Sequence, residues 1–265
     1  MSILCAIILG IIQGATEFIP VSSSGHLVIM SHLLNVGDAF TFDVLLNVGT
    51  IAALVIYYRK RIWSIIKRVF SGNEWALAVK IIIATIPAAF VAVVFSDQIE
   101  KLNELIWVVI FTLTIVGILM IVIGGENKNA DNREIEQSVG WKSSIKIGLA
   151  QAIALIPGTS RSGITILTGL RSNLSAARAA EFSFLMAIPI ISAASLKMLL
   201  SSSSRLFIQN NLTAIIVGNI ASFVAGILAI SFLIKFVSKH GLKAFGWYRV
   251  ALAAILAVLL LLIIF

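Results

Sequence analysis

The sequence predicts an all-α polytopic membrane protein that forms a single membrane domain, 1–265, with an inverted-topology repeat. Hydrophobic residues make up 59% of the 265 residues and charged residues only 12%, and the mean hydropathy is +1.04. Soluble domains are closer to half apolar and a quarter charged. Several apolar runs approach the ~20 residues that cross a bilayer. In addition, polar motifs interrupt two apolar regions, at residues 10–26 and 148–165.

Six apolar runs are predicted to cross the membrane, and the two broken segments are predicted to form re-entrant helix–loop–helix hairpins. Residues 1–34 are interpreted as two half-length helices joined by residues 20–25, and residues 141–170 form the second such segment. Non-helical backbone is tolerated at membrane depth only where protein or water surrounds it. The six full spans are expected at 43–58, 75–95, 104–123, 181–200, 212–234 and 246–265.

The distribution of basic residues supports the hairpins, because a re-entrant hairpin returns to the side that it left. Loops 35–42, 96–103 and 201–211 then share one face, which holds only Lys101 and Arg205. The loops of the other face hold Arg59, Lys60, Arg61, Lys67, Arg68, Lys128, Arg133, Lys142, Arg171, Arg178, Lys235, Lys239 and Lys243. The positive-inside rule places this second face in the cytoplasm and both termini outside. The net charge of +8 therefore does not indicate nucleic acid as a partner.

An internal repeat relates the two halves, 1–125 and 140–265. A Gly-x-x-Gln pattern occurs at Gly10 and Gln13 in the first broken segment and at Gly148 and Gln151 in the second. Each half is one hairpin followed by three spans, so the second half enters from the opposite side. Inverted repeats of this kind place broken helices and their ligand site near the membrane midplane.

The first broken segment carries a carboxylate, a serine run and a histidine. Gln13 and Glu17 are four residues apart and share one helix face. An ionisable group at this depth costs about 2.5–3.5 kcal/mol and needs a partner or water. The run from Ser22 to His26 precedes a helix expected at residues 25–34, whose first N–H groups form an anion site. Ser23 is a candidate nucleophile, with Glu17 or His26 as base, although the spacing leaves the attacking group open.

Structural roles are the alternatives for these residues. Glu17 is also compatible with an interhelical polar contact, and a serine run before a helix is compatible with plain N-capping. Asn47, inside an apolar span, either lines the same cavity or makes a helix–helix hydrogen bond. Lys80 and Lys197 are interpreted as snorkelling cations.

The second broken segment carries the sequence PGTSRSG at residues 157–163, with Arg161 as the only charge between Lys146 and Arg171. A guanidinium stays charged and binds phosphate oxygens bidentately. Neighbouring hydroxyls and glycines would let a ligand approach the backbone closely. The two polar loops are expected to meet, with Glu17 near Arg161, and to form one anion-handling site. The alternative is that Arg161 only forms a structural ion pair with Glu17.

These motifs resemble the undecaprenyl-diphosphate phosphatase family of the bacitracin-resistance type, over essentially the whole chain. The matching patterns are Gln13-x-x-x-Glu17, Pro20-x-Ser22-Ser23-x-Gly25-His26 and Pro157-Gly158-Thr159-Ser160-Arg161-Ser162-Gly163-x-Thr165. The resemblance implies an enzyme of the bacterial inner membrane that is active at the outer face. It would convert undecaprenyl diphosphate to the monophosphate carrier for peptidoglycan, with Mg²⁺ or Ca²⁺ as cofactor. It also implies tolerance to bacitracin, which sequesters the substrate.

The resemblance implies catalytic roles for Glu17, Ser23, His26 and Arg161, and metal ligation by Glu17 and Gln13. Position 13 is Glu or Gln in the family, and the Gln of this chain removes one anionic ligand. A homodimer is a further expectation. Substrate contacts are expected from Gln13, Ser22, Ser24, Gly25, Asn47, Gly158, Thr159, Ser160, Ser162 and Thr165.

Three other classes of protein compete with this interpretation. Inverted repeats with broken helices are common in transporters and flippases. The type 2 phosphatidic-acid phosphatases also use SGH and SR motifs, but they need a second histidine downstream of the SR arginine, and no histidine lies between His32 and His240. A non-catalytic lipid-binding scaffold would have no need for buried Glu17 and Arg161.

Overall fold

The computed structural model confirms an all-α chain. It describes residues 1–34, 36, 39–71, 75–103, 105–125, 130, 131 and 133–264; the predicted positions Glu104, Lys128 and Phe265 lie outside them. No strand occurs in these described ranges, apart from an isolated bridge between Asp131 and Leu174. The helices are α1 (Ile3–Phe18), α2 (Ser23–Leu33), α3 (Ala39–Tyr57), α4 (Arg59–Phe70), α5 (Ala76–Val94), α6 (Ser96–Asn103), α7 (Ile106–Ile123), α8 (Ile135–Ser138), α9 (Trp141–Ile153), α10 (Arg161–Arg171), α11 (Ala176–Leu200), α12 (Ser202–His240) and α13 (Lys243–Ile264).

Six helices in the described part of the chain are long and apolar enough to cross a membrane, which confirms the predicted number of spans. Helix α1 is also apolar but has only 16 residues. At 1.5 Å per residue it is about 24 Å long, which is short of a ~30 Å hydrocarbon core. The six spanning stretches are Phe40–Tyr57, Ala76–Val94, Ile106–Ile123, Ala176–Leu200, Ser204–His240 and Lys243–Leu262.

Both polar motifs interrupt helices, as predicted. Residues 19–22 separate α1 from α2, and residues 154–160 separate α9 from α10. Helix α2 begins at Ser23 rather than at the expected Gly25, because Ser22 adopts a left-handed φ of 75° and ends the irregular stretch there. The re-entrant placement of these hairpins in a bilayer stays a prediction.

Segments expected to be loops are partly helical, including the start of α11 at Ala176 and the end of α12 at His240. Helix α4 fills most of the expected loop 59–74, α6 fills 96–103, and α12 begins at Ser202 instead of 212. None of these helical stretches contains the glycine or proline that would stop a helix. Within α12 only Asn211 departs from helical geometry, with φ −126° and ψ 18°.

The chain forms two compact units, and each takes segments from both halves of the sequence. Unit 1 comprises Met1–Ile19, Ser23–Trp75 and Phe184–Leu233. Unit 2 comprises Pro20–Ser22, Ala76–Ser183 and Ile234–Phe265. The division into repeats at 1–125 and 140–265 stays a prediction.

Unit 1 is built where α1 and α3 pack closely against α12. Gly10 and Gly14 of α1 lie against backbone carbonyls of Gly218 and Ser222, and a Cβ atom at either glycine would collide with them. The backbone N–H of Gly49 in α3 donates to Asn219 Oδ1 over 2.6 Å. The surrounding core is apolar and consists of Ala6, Leu9, Leu27, Phe42, Leu45, Leu46, Ala214 and Ile215.

Unit 2 uses the second Gly-x-x-Gln in the same way. A Cβ atom at Gly148 in α9 would lie 2.7 Å from the carbonyl oxygen of Ala84 in α5. The glycines of both motifs therefore permit close helix packing. The prediction that Lys80 snorkels is wrong: it is only 7% exposed, donates to the Glu136 carbonyl at 3.2 Å and lies 5.4 Å from the Trp141 ring centroid. Lys197 is exposed, as expected.

Candidate functional site

The predicted carboxylate residues of unit 1 form a hydrogen-bonded group, here called the carboxylate cluster: Gln13, Glu17, Ser23 and Asn47. The Ser23 hydroxyl donates to Glu17 Oε2 at 2.7 Å. Gln13 Nε2 donates both to Glu17 Oε2 at 3.2 Å and to Asn47 Oδ1 at 2.6 Å. Asn47 therefore makes the helix–helix hydrogen bond that was one of its two interpretations, and this bond also joins it to the cluster.

The carboxylate cluster has the oxygen donors that a hard divalent cation prefers. Gln13 is 2% exposed, and its Oε1 atom is a buried acceptor with no hydrogen-bond donor in the described structure. The Glu17 carboxylate supplies the negative charge. Mg²⁺ and Ca²⁺ bind carboxylate and amide oxygens, so these residues fit such an ion. Among the described residues, no group of three His, Cys, Asp or Glu side chains could hold a metal ion, so amide oxygens would have to complete the donor set.

The predicted serine and histidine residues lie at the start of α2. Ser23, Ser24, Gly25 and His26 form its first turn, and the N-terminus of a helix attracts anions. Ser22, which precedes this turn, is 1% exposed and has the left-handed φ of 75°. An L-residue rarely adopts this conformation, and such strain is concentrated at functional sites.

The second motif forms a strained turn before α10, here called the arginine loop, Pro157 to Arg161. Gly158 has a φ of 82° and Ser160 a φ of 69°. Ser160 is the N-cap of α10, and its Oγ accepts a hydrogen bond from the Gly163 N–H at 3.2 Å. Thr159 is buried, with 1% of its surface exposed. The loop therefore leads directly into the N-terminus of an 11-residue helix, which attracts anions.

Arg161 lies beside two hydroxyl-bearing residues of unit 2, Thr165 and Ser183. Its Nη1 atom lies 3.5 Å from the Ser183 carbonyl, and the Thr165 hydroxyl donates to the Arg161 carbonyl at 2.7 Å. The oxygens of Thr165 and Ser183 are 2.6 Å apart, and those of Ser160 and Ser162 are 3.3 Å apart. Thr165 and Ser162 are almost fully buried, and substrate contacts from these two residues stay a prediction.

Arg249 in α13 was not predicted from the sequence as a site residue. Its side chain donates a hydrogen bond to the backbone of the arginine loop. Its side chain is fully buried, and Nη2 donates to the carbonyls of Gly158 at 2.8 Å and Thr112 at 3.3 Å. The Thr112 hydroxyl also donates to the Pro157 carbonyl at 2.6 Å. The signal was available, since Arg249 is a charged residue inside an apolar span, where such residues are costly and functional by default.

The structure thus assembles the predicted residues into two polar clusters, each on a broken helix pair of a multi-pass membrane protein. A carboxylate beside a serine hydroxyl and a strained arginine-bearing turn define the class: an integral membrane protein equipped to handle an anionic group. The chain belongs to the bacitracin resistance protein BacA family, which matches residues 6–255.

Curated relatives cover nearly the whole chain. An undecaprenyl-diphosphatase of Rubrobacter xylanophilus is 39% identical over 277 aligned positions, which cover 99% of this chain and 100% of the relative. An undecaprenyl-diphosphatase of Idiomarina loihiensis is 39% identical, with 98% and 99% covered. The protein of that name from Bdellovibrio bacteriovorus is 38% identical, with 98% and 97% covered.

Proposed function

We propose that this protein is a membrane-embedded phosphatase that hydrolyses undecaprenyl diphosphate to undecaprenyl phosphate and inorganic phosphate. The observation that carries the proposal is the 2.7 Å hydrogen bond from the Ser23 hydroxyl to Glu17 Oε2. A nucleophile and a base within hydrogen-bond reach are the structural signature of covalent catalysis. Family membership and the names of the relatives support the same substrate.

In the proposed first step, Ser23 Oγ attacks the terminal phosphorus of the diphosphate. Its proton passes to Glu17, and the bond from that phosphorus to the bridging oxygen breaks. Undecaprenyl phosphate leaves, and a phosphoserine remains. Glu17 passes this proton to the departing undecaprenyl phosphate and becomes a carboxylate again. Water then attacks the phosphorus of the phosphoserine, with Glu17 accepting a proton from it as general base. The bond from phosphorus to Ser23 Oγ breaks, Glu17 returns the proton to Ser23 Oγ, and inorganic phosphate is released. His26, three residues along α2, is the alternative nucleophile.

The arginine loop would stabilise the charge of the transferring phosphoryl group. Phosphoryl transfer requires mainly positioning and electrostatic stabilisation, and Arg161 brings a guanidinium to the N-terminus of α10, where the helix attracts anions. This role requires Glu17 and Arg161 to act on the same diphosphate, and that predicted proximity stays a prediction. The partial exposure of Arg161 is compatible with contact to a ligand.

We further propose Mg²⁺ or Ca²⁺ as cofactor, held by Glu17 and Gln13. Such an ion would neutralise phosphate oxygens when bound. The buried Oε1 atom of Gln13 supports this assignment, because an unpaired buried acceptor is costly unless a cation or water meets it. With Gln at position 13, Glu17 is the only carboxylate of the cluster, and we expect metal affinity to depend on it.

The protein is proposed to act in the bacterial inner membrane, with its site open to the outer face and both termini outside. The charge bias of the loops supports this orientation. There the reaction would recycle the lipid carrier for peptidoglycan synthesis. Bacitracin would compete for the substrate, and high activity would confer resistance. A homodimer stays a prediction.

Phosphate release separates this function from transport. Purified protein in detergent, with Mg²⁺ or Ca²⁺ added, should release inorganic phosphate from undecaprenyl diphosphate. A transporter or flippase would bind the lipid and release none. The Glu17→Gln variant, which keeps shape and hydrogen-bonding capacity, is the matched control and should lose the activity.

Trapping a phosphoenzyme identifies the nucleophile. Substrate labelled in the terminal phosphate, quenched rapidly with acid, should label the wild-type protein and the His26→Ala variant. The Ser23→Ala variant should remain unlabelled. Labelling of Ser23→Ala would move the nucleophile to another residue, and absence of any label would favour direct attack by water.

A further inference from the structure

Helix α4 directly follows the candidate membrane span α3 in the chain. The span α3 ends at Tyr57 and α4 begins at Arg59, so a single residue separates them. Backbone hydrogen bonds run through this junction, from Tyr58 N to Leu54 O at 2.9 Å and from Ile62 N to Tyr58 O at 2.8 Å. Tyr58 is 8% exposed, and its ring packs against Tyr57 with centroids 5.0 Å apart. The helix therefore continues directly from the end of a candidate membrane span.

Helix α4 has one apolar and one cationic face. At 100° per residue, an arc of roughly 160° contains Ile62, Trp63, Ile65, Ile66, Val69 and Phe70. The opposite face contains Lys60, Arg61, Ser64, Lys67 and Arg68. Arg59, the first residue of the helix, lies within the apolar arc; with it the helix carries five cations and no acid. This is the composition of helices that lie in a membrane interface.

The rest of the described chain leaves most of the apolar face of α4 exposed, although Ile62 and Ile65 are half-buried. None of its residues is buried; Trp63 is 68% exposed and Phe70 is 87% exposed. The next span, α5, begins only six residues after Phe70, at Ala76. Candidate membrane spans therefore precede and follow α4 closely in the sequence.

We infer that α4 is an interfacial helix that binds the anionic phospholipid headgroups of the leaflet it borders, which the loop charges identify as the cytoplasmic one. Trp63 and Phe70 enter the headgroup–acyl boundary, and Lys60, Arg61, Lys67 and Arg68 contact phosphates. The charge complementarity favours an anionic lipid surface over a protein partner, since a protein surface would have to supply both a long apolar groove and a surplus of acids.

The position and lipid preference of Trp63 test this inference. The full-length protein, with the other four tryptophans replaced by Phe, is placed in nanodiscs of phosphatidylcholine and phosphatidylglycerol in equal amounts. In each sample one of the two lipids is brominated, because bromine quenches tryptophan fluorescence. The bromine lies on the acyl chain, either near the headgroup or near the chain end. We expect strong quenching from the position near the headgroup, weak quenching from the chain end, and greater quenching by phosphatidylglycerol.

Charge reversal provides the matched comparison. Each cation beside an anionic surface contributes roughly a fivefold preference, so Lys60→Glu with Lys67→Glu should abolish the preference for phosphatidylglycerol at Trp63. The pair Lys235→Glu and Lys239→Glu, exposed cations of α12, should leave it unchanged. Equal quenching by both lipids in the wild type would overturn the inference. So would a Trp63 that neither lipid quenches, as expected if a second copy of the chain covered this face.

Discussion

Replacing Arg249 by Met tests whether this guanidinium holds the arginine loop in its working conformation. The side chain is fully buried, and Nη2 donates to the Gly158 carbonyl at 2.8 Å and to the Thr112 carbonyl at 3.3 Å. Methionine is flexible enough to fill much of the space, but it cannot donate a hydrogen bond.

The expected loss follows from the hydrogen bond to Gly158. A hydrogen bond from a charged donor contributes about 1.5–3 kcal/mol. If that energy maintains the loop conformation, its loss lowers kcat by about 10- to 150-fold, since 1.4 kcal/mol is a factor of about ten. Global stability should change less, because removing a buried cation also removes its desolvation cost. Arg249→Lys keeps one charged donor and should recover part of the lost rate.

The assay measures phosphate release against substrate concentration, together with the Tm of each purified variant. Trp247→Phe is the control, because Trp247 lies two residues before Arg249 on α13 and is 64% exposed. Wild-type kcat in the Met variant would refute the reasoning. If the Met variant fails to fold, the kcat of the Lys variant is measured instead. A folded Lys variant with wild-type kcat would also refute the reasoning.

Three further predictions address the arginine, the helix packing and one surface carboxylate. Arg161→Ala should lower kcat at least about a thousandfold, as for arginines that stabilise phosphoryl transfer, with the fold retained; half the activity remaining would remove Arg161 from the site. Gly148→Val should destabilise the protein by about 1–3 kcal/mol through overpacking, measured as Tm, whereas Gly140→Val, with nothing within 4 Å, should not; equal Tm values would contradict the packing. Hydrogen bonds from Arg133 lower the pKa of Asp131 from 3.8 to about 2. Because the folded pKa is depressed, the stabilisation is present above pH 3.8 and is lost as the pH falls through about 2. Asp131→Asn should therefore lower Tm near neutral pH and have a much smaller effect at pH 2; an identical Tm difference at both values would exclude this linkage.

Features that depend on local sequence were predictable. The six spans follow from the lengths of apolar runs, and the breaks at Pro20 and Pro157 follow from backbone chemistry. The Gln13–Glu17 bond follows from helical spacing. The helix at α4 was missed because its cations were interpreted only as loop charge, although their periodicity with Trp63 and Phe70 indicates an amphipathic helix.

Features that depend on distant contacts were not predictable in the same way. The bond from Arg249 to Gly158 joins residues 91 positions apart, and no local pattern relates them. Ser183, whose hydroxyl lies beside that of Thr165, is an ordinary residue of an apolar helix in the sequence. Their roles became visible only once the tertiary packing was known.

The late position of α12 in the chain has a consequence for biogenesis. Its hydrogen bonds to α3 span 170 and 176 residues, so at ~5–20 residues per second the first helices wait roughly 10–30 s for their partner. During that interval Glu17 would be an isolated charge facing lipid if it depended on α12 for its hydrogen-bond partners. The bonds from Gln13 to Glu17 and Asn47, however, bridge only 4 and 34 residues, so they can form before α12 is synthesised. The hydrogen bonds that position Glu17 for catalysis would then also stabilise its charge while the nascent chain is inserted into the membrane.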